Sequence, residues 1–242
     1  MQRPVTVVTG GSRGIGAATA ERLAADGHDV VIGYRAAAEA AEAVSGRVRA
    51  AGARCVTVRA DTASPDDVEA LFDAARELGP VTGLVNNAGI TGPIGRLTDI
   101  DDVDGIRRSL DVNVLGYLLC ARRAARDMAG RGGAIVNVSS GAATTGGAGE
   151  YVHYAASKAA VDTITIGLSK ELGPDGIRVN TVSPGVIWTD IHADPDRPNR
   201  IAKEVPLGRA GEPSEVAAAI AWLRSPDASY TNGANLRVAG GR

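Results

Sequence analysis

From end to end the chain alternates β-rich runs with helix-patterned segments, and few folds accept such an order. Short runs rich in β-branched residues occur at 5–8, 30–33, 55–58, 84–86, 134–138, 178–182 and 235–238. Between them lie stretches rich in Ala, Glu, Arg and Leu with helical spacing, such as 17–25, 36–51 and 65–78. Ser64-Pro65 reads as an N-cap followed by proline in the first turn, with Asp66, Asp67 and Glu69 favouring that helix end. Glu212-Pro213-Ser214 opens another helix over 215–223. Strands separated by helices must pair in parallel through crossovers. The expected architecture is a doubly wound parallel α/β sheet of about seven strands with helices on both faces. No composition break divides the 242 residues, so a single domain is expected.

Charge narrows the partners. The formal net charge is −2 and acidic and basic residues are interspersed, which gives no reason to expect nucleic acid or a membrane surface. The apolar runs are strand-sized, well short of the roughly 20 residues that span a bilayer. The opening MQRPVTVVTGG goes straight into a strand and a glycine turn without the zones of a signal peptide, so a cytoplasmic protein is expected. Cys55 and Cys120 are far apart in apolar segments and read as reduced core residues. His28, His153 and His192 share no ligand spacing, and no metal is expected. Two stretches depart from the alternation. Residues 141–149 are a small Gly-rich loop after a strand, and residues 189–205 are charged, proline-interrupted and without a clear apolar face. Both follow strands, where ligands of such sheets bind, and the second is read as a mobile substrate lid.

After the first strand comes Thr9-Gly10-Gly11-Ser12-Arg13-Gly14-Ile15-Gly16, and a helix follows at once. Glycines let the backbone turn sharply and approach a pyrophosphate, whose charge the helix amino end favours. The spacing is G-x-x-x-G-x-G, distinct from G-x-G-x-x-G. The second strand ends Gly33-Tyr34-Arg35, with no carboxylate until Glu39. An acid there would accept hydrogen bonds from ribose hydroxyls, whereas an arginine accommodates a 2′-phosphate. Arg35, with Arg13 approaching from the other side, therefore favours NADP(H) over NAD(H).

Tyr154 and Lys158 are four apart, on one face of a helix if the segment is helical. A free phenol has a pKa near 10, too high for efficient proton transfer around neutrality, and a nearby ammonium would lower it. Tyr151 has Ala155 at its fourth successor and lacks that partner.

Taken in order, these motifs resemble the short-chain dehydrogenase/reductase family in its single-domain, Rossmann-like form, over essentially the whole chain. Residues 9–16 match its T-G-x-x-x-G-x-G, Asn86-Asn87-Ala88-Gly89 its N-N-A-G, and Tyr154/Lys158 its Y-x-x-x-K. Asn113, the 138–140 serine segment, Ser183-Pro184-Gly185 with Thr189, and 206–209 also sit where the family has them. The resemblance implies an oxidoreductase (EC 1.1.1.-) that interconverts a ketone or aldehyde and an alcohol by hydride transfer. Tyr154 would be the general acid/base and Ser140 would hydrogen-bond the substrate oxygen. Lys158 would lower the Tyr154 pKa and bind the nicotinamide ribose, and Asn113 would hold a water linking Lys158 to solvent. Cofactor contacts carried over are Gly10, Ser12, Arg13, Gly14, Ile15, Gly16, Arg35, Asp61, Thr62, Asn87, Ala88, Gly89, Tyr154, Lys158, Pro184, Gly185, Ile187 and Thr189. Asn86 is either a contact or purely structural. Ser140 precedes Tyr154 by 14 positions where many relatives have 13, which implies an extra residue in 141–149. Ser139 is the alternative serine.

The implied division is a cofactor-binding half over about 1–130 and a catalytic and substrate half over about 131–242. A 3-oxoacyl thioester, a sugar or another small carbonyl compound remains open as substrate. The rival reading is a catalytically silent NADP(H)-binding sensor or scaffold, against which all four catalytic positions are filled. Relatives assemble through the helices after the fourth and fifth strands, here 106–128 and 154–172, which implies a homotetramer.

Overall fold

The computed structural model describes residues 3–191 and 194–242; His192 lies outside them. Seven parallel strands form one sheet: β1 (Val5–Thr9), β2 (Asp29–Tyr34), β3 (Cys55–Arg59), β4 (Val81–Asn86), β5 (Gly133–Val138), β6 (Ile177–Pro184) and β7 (Asn235–Val238). Their order is β3-β2-β1-β4-β5-β6-β7. The helices are α1 (Gly14–Ala25), α2 (Ala38–Ala50), α3 (Pro65–Leu78), α4 (Val103–Leu110), α5 (Gly116–Met128), α6 (Ala142–Thr145), α7 (Val152–Leu172), α8 (Arg197–Ala202) and α9 (Pro213–Arg224).

Position in the sheet explains the sequence patterns. β1 is paired on both edges and covered on both faces, so Val5, Val7 and Val8 are all buried and the strand reads as one apolar run. β7 is an edge strand and alternates exposed with half-buried residues. In α3 the buried Val68, Leu71, Phe72 and Ala75 make one stripe, and Ser64 accepts a hydrogen bond from the Asp67 amide at its start. α9 opens with a capping box in which Glu215 accepts from the Glu212 amide at 2.8 Å.

Two cores flank the sheet. One gathers α1, α2 and α9 against Val8, Ile32 and Val85, and includes Cys55. The other gathers α3, α5 and the end of α7 against Val7, Leu84 and Ile135, and includes Cys120. Both cysteines are free and buried, as expected, and burial pushes the Cys120 thiol up to about 12. Below the sheet, Arg224 of α9 donates to the carbonyls of Thr82 (3.0 Å) and Ala134 (2.8 Å) and to Thr6 Oγ1 (3.2 Å). Gly83 makes the room, since a Cβ there would stand 2.2 Å from Arg224 Nη2.

Three segments differ from expectation. The helix expected over 106–128 is interrupted by a π turn, Asp111–Leu115, between α4 and α5. Its cause is Asn113, whose buried amide exchanges two hydrogen bonds with the backbone of Ile90 (3.0 and 2.9 Å) and draws that turn towards the loop after β4. The 141–149 loop contains the single turn α6. The 189–205 segment contains α8, whose Pro198 and Ile201 are buried, Ile201 packing with Val186, Val205 and Ala210. No helix among the described residues is long and apolar enough to cross a membrane.

Candidate active site

Strand order reverses between β1 and β4, and the expected site residues collect at the carboxyl ends of these and the neighbouring strands. Gly10 (φ +64°) and Gly14 (φ +54°) occupy the left-handed region. At Gly16 a Cβ would stand 2.3 Å from the Gly10 carbonyl oxygen and 2.5 Å from Asn87 Nδ2. Thr9 Oγ1 accepts from the amides of Asn87 (3.0 Å) and Ala88 (3.1 Å), and Asn87 Nδ2 donates to the carbonyls of Thr9 and Gly10 (3.0 Å each). The loop carrying Ser12, Arg13 and Ile15 is thus locked to the N-N-A-G segment. No side chain caps α1 and no acidic residue lies in its first turn, which leaves its amino end fit for an anion. Thr189 lies over the loop, its Cγ2 3.1 Å from a Cβ built on Gly14.

Beside this cradle, Arg35 is exposed at the end of β2 and its Nε lies 3.7 Å from Asp61. Sequence order gave no sign of that carboxylate next to Arg35. Asp61 is held mainly by Arg108 of α4 at 2.5 Å, and the arginines together with the Ala63 amide overcome burial to keep its pKa low. Arg108 therefore takes up the Asp61 charge and leaves the Arg35 fork available. Thr62 is buried against the start of α5, where a Cβ on Gly116 would stand 2.8 Å from its hydroxyl.

The catalytic candidates meet at the far side of the same loop. A Cβ on Gly89 would lie 3.3 Å from Asn113 Oδ1 and 3.4 Å from Lys158 Nζ, while one on Gly10 would lie 2.9 Å from Ala88 Cα. Three residues thus join the glycine cradle to the lysine. Tyr154 and Lys158 are on one face of α7 and are both buried, with Lys158 Nζ 5.8 Å from the centre of the Tyr154 ring. Asn113 donates to Ser157 Oγ at 3.0 Å. The two serines separate: Ser139 donates to the Lys158 carbonyl (3.0 Å), whereas Ser140 lies towards Tyr154, where its hydroxyl favours the phenolate, and accepts from the Ala142 amide at 3.1 Å. Between Ser140 and Tyr154 lies the turn of α6, followed by Gly146 and Gly147 at positive φ.

Burial dominates the electrostatics of the pair. Burial pushes the Tyr154 phenol up to about 12, a shift the Ser140 hydroxyl only moderates. Burial also lowers Lys158 to about 7. Lys158 Nζ donates to the Val138 carbonyl (2.8 Å) and to the Tyr117 hydroxyl (3.1 Å).

The wall beyond Tyr154 comes from β6 and the segment after it. Pro184 accepts from the Gly141 amide (2.8 Å), Gly185 packs on Ala239, and Ile187 is bridged to Gly211. Tyr151 meets Tyr154 edge-on with ring centres 5.3 Å apart, and Arg197 of α8 donates to Tyr151 Oη (2.5 Å) and Glu150 (2.8 Å). Tyr117, Arg108 and Arg197 went unnoticed in the sequence. Only Tyr117 left a signal there, standing four residues after Asn113. No cluster of potential metal ligands occurs among the described residues.

The family described as enoyl-(acyl carrier protein) reductase matches residues 10–242. Among curated relatives, an uncharacterized oxidoreductase, YgfF, of Escherichia coli (strain K12) is 45% identical over 98% of this chain and 99% of its own. The cis-4-hydroxycyclohexanecarboxylate dehydrogenase of Sinomonas cyclohexanicum is 44% identical over 98% of this chain and 95% of its own. A solved short-chain dehydrogenase from Burkholderia cenocepacia J2315, in complex with NADP, superposes with a TM-score of 0.93 at 41% identity, covering 99% of this chain and 98% of the other. Fold, ordered motifs and relatives agree, and the chain belongs to the short-chain dehydrogenase/reductase family.

Proposed function

We propose that this oxidoreductase interconverts a small ketone or aldehyde and its alcohol with NADP(H). The observation that carries this reading is the buried Tyr154–Lys158 pair with the half-buried Ser140 beside it, joined through residues 87–89 to a glycine cradle that fits a dinucleotide. Gly10, Gly14, Gly16 and the amino end of α1 would hold the pyrophosphate, Arg35 and Arg13 the 2′-phosphate, and Asp61 and Thr62 the adenine. Ser12, Ile15, Asn87, Ala88 and Gly89 would line the adenosine and ribose region. Pro184, Gly185, Ile187 and Thr189 would surround the carboxamide. The cofactor supplies or takes up the hydride at nicotinamide C4. The NADP-bound Burkholderia relative supports the choice of dinucleotide.

In this reading Ser140 donates a hydrogen bond to the substrate oxygen and fixes it beside Tyr154. Tyr154 gives that oxygen its proton in reduction and removes it in oxidation. Burial keeps the phenol protonated at neutral pH, the form that reduction requires. Lys158 holds the nicotinamide ribose, and Asn113 holds a water leading from Lys158 to solvent. The cofactor half spans about 1–130 and the substrate half about 131–242, with 189–205 as lid.

The reading extends to a homotetramer built through α4–α5 and α7, supported by the exposed apolar Leu110, Leu118 and Ile166 on those helices. Two unpaired thiols are in keeping with work in the cytoplasm. The test is NADPH oxidation against a panel of ketones, aldehydes, 3-oxoacyl thioesters and oxidised sugars, with Tyr154→Phe as control. Turnover confined to the wild type is expected, and full turnover by Tyr154→Phe would refute the assignment. For the cofactor, Arg35→Asp should lower the NADPH-to-NADH affinity ratio at least tenfold, and an unchanged ratio would remove Arg35 from the site.

A further inference from the structure

Lys158 Nζ sits in a pocket of unusual make-up. The side chain is only 3% exposed, and the carboxylate that acts on its charge is Asp162 on its own helix. Its partners are the Val138 carbonyl at the end of β5 (2.8 Å) and the hydroxyl of Tyr117 on α5 (3.1 Å), with the Tyr117 ring centre 4.9 Å away. Tyr117 is itself fully buried, and its hydroxyl donates to the same Val138 carbonyl at 2.9 Å. A phenol has one proton to donate. With that proton committed to Val138, the oxygen can present only lone pairs to Lys158. The π turn at Asp111–Leu115 matters here, because a wide turn changes the phase at which α5 leaves α4 and so sets where residue 117 points.

We propose that Tyr117 is a positioning residue that fixes the Lys158 ammonium beneath Tyr154 and favours its charged form. The inference rests on the catalytic reading above for its consequence, though not for its geometry. The other titratable groups around the ammonium are Tyr154 and Asp162 on its own helix, and Asn113 is the polar neighbour across the Gly89 loop. Asp162 also favours the charged form, while burial opposes it. Tyr117 adds a fixed acceptor and the negative face of its ring, and both act on the ammonium and hardly on the neutral amine.

The chain has three lysines, Lys158, Lys170 and Lys203. Protein labelled with carbon-13 at lysine Cε therefore gives three resonances, and the one missing from Lys158→Arg assigns the site. In Tyr117→Phe the Lys158 titration midpoint should fall by about one pH unit, a tenfold weakening of proton binding. An unchanged midpoint overturns the proposal. The same variant should move the rising limb of alcohol oxidation upward by a similar amount and lower the rate near neutrality about tenfold. A moved Lys158 midpoint with an unmoved rate profile would overturn the role in the reaction. Full turnover by Tyr154→Phe would instead refute the catalytic reading, whatever the lysine titration shows. Thermal unfolding checks that Tyr117→Phe is folded, and Tyr117→Met provides the same titration if it is not.

Discussion

Gly16→Ala tests how tightly the glycine cradle is built. The added Cβ would stand 2.3 Å from the Gly10 carbonyl oxygen and 2.5 Å from Asn87 Nδ2, where ordinary contact begins near 3.4 Å. Backbone around residue 10 must then retreat by about 1 Å. Such a shift lengthens both Asn87 bonds, to Thr9 and Gly10, beyond useful range. Strain of about 1–3 kcal/mol and two lost hydrogen bonds at about 1 kcal/mol each put the loss of stability near 3–5 kcal/mol. Urea denaturation measures it, and titration with NADPH should show binding weakened at least tenfold, since the proposed pyrophosphate site includes Gly10 and Gly16. Gly46→Ala is the internal contrast, because nothing lies within 4 Å of a Cβ there and the position is exposed in α2. A Gly16→Ala protein with wild-type stability and NADPH affinity would refute the close-contact argument.

Gly46→Ala itself should stabilise the fold by about 0.5–1 kcal/mol through helix propensity, read in the same urea series. His28 should make stability fall on acidification. Burial, aided by the Arg224 charge, lowers its pKa from 6.5 to about 4, so between these values the unfolded chain binds more protons than the folded one. Stability is then full above pH 6.5 and is lost progressively down to pH 4, by about 2 kcal/mol after allowance for partial exposure. His28→Gln should remove that part of the slope in unfolding curves at pH 4–7, and an identical pH dependence would count against it. Neither Cys55 nor Cys120 should react with a thiol reagent in the native protein at pH 8, because burial raises both thiols. Urea should expose two equivalents, and rapid native labelling would show the cores to be looser than described.

How much could be read beforehand follows from which interactions are local. The strands were legible because covered parallel strands are continuous apolar runs, and their edges missed by a few residues for tertiary reasons. β4 begins at Val81, ahead of the expected 84, because Gly83 is there to admit Arg224, a residue 141 positions away. The glycine turn, Ser140, Tyr154 and Lys158 were legible because motif spacing fixes them locally. The Arg108–Asp61 pair spans 47 residues and follows no pattern. The π turn escaped notice because one wide turn leaves the apolar periodicity of 106–128 nearly intact. Tyr117 escaped with it, since its contact with Lys158 depends on that turn. α8 is only six residues long, too short for periodicity to register, and it is held by Ile201 packing. The protonation balance of Tyr154 and Lys158 was not legible, because spacing gives proximity along a helix while burial is contributed by distant elements.

Arg224 bears on the order in which the molecule assembles. Its guanidinium ties together β1, β4 and β5, and its bond to Thr6 joins residues 218 positions apart. The middle of the sheet is therefore secured by nearly the last helix of the chain, which also packs on α1, the helix that follows the glycine turn. Contacts of such sequence separation form late and slow folding. During synthesis the first half can pair its strands, but the cradle in front of α1 remains without its backing until α9 has left the ribosome. A chain truncated before residue 213 would keep the whole glycine turn but lose the helix that backs it.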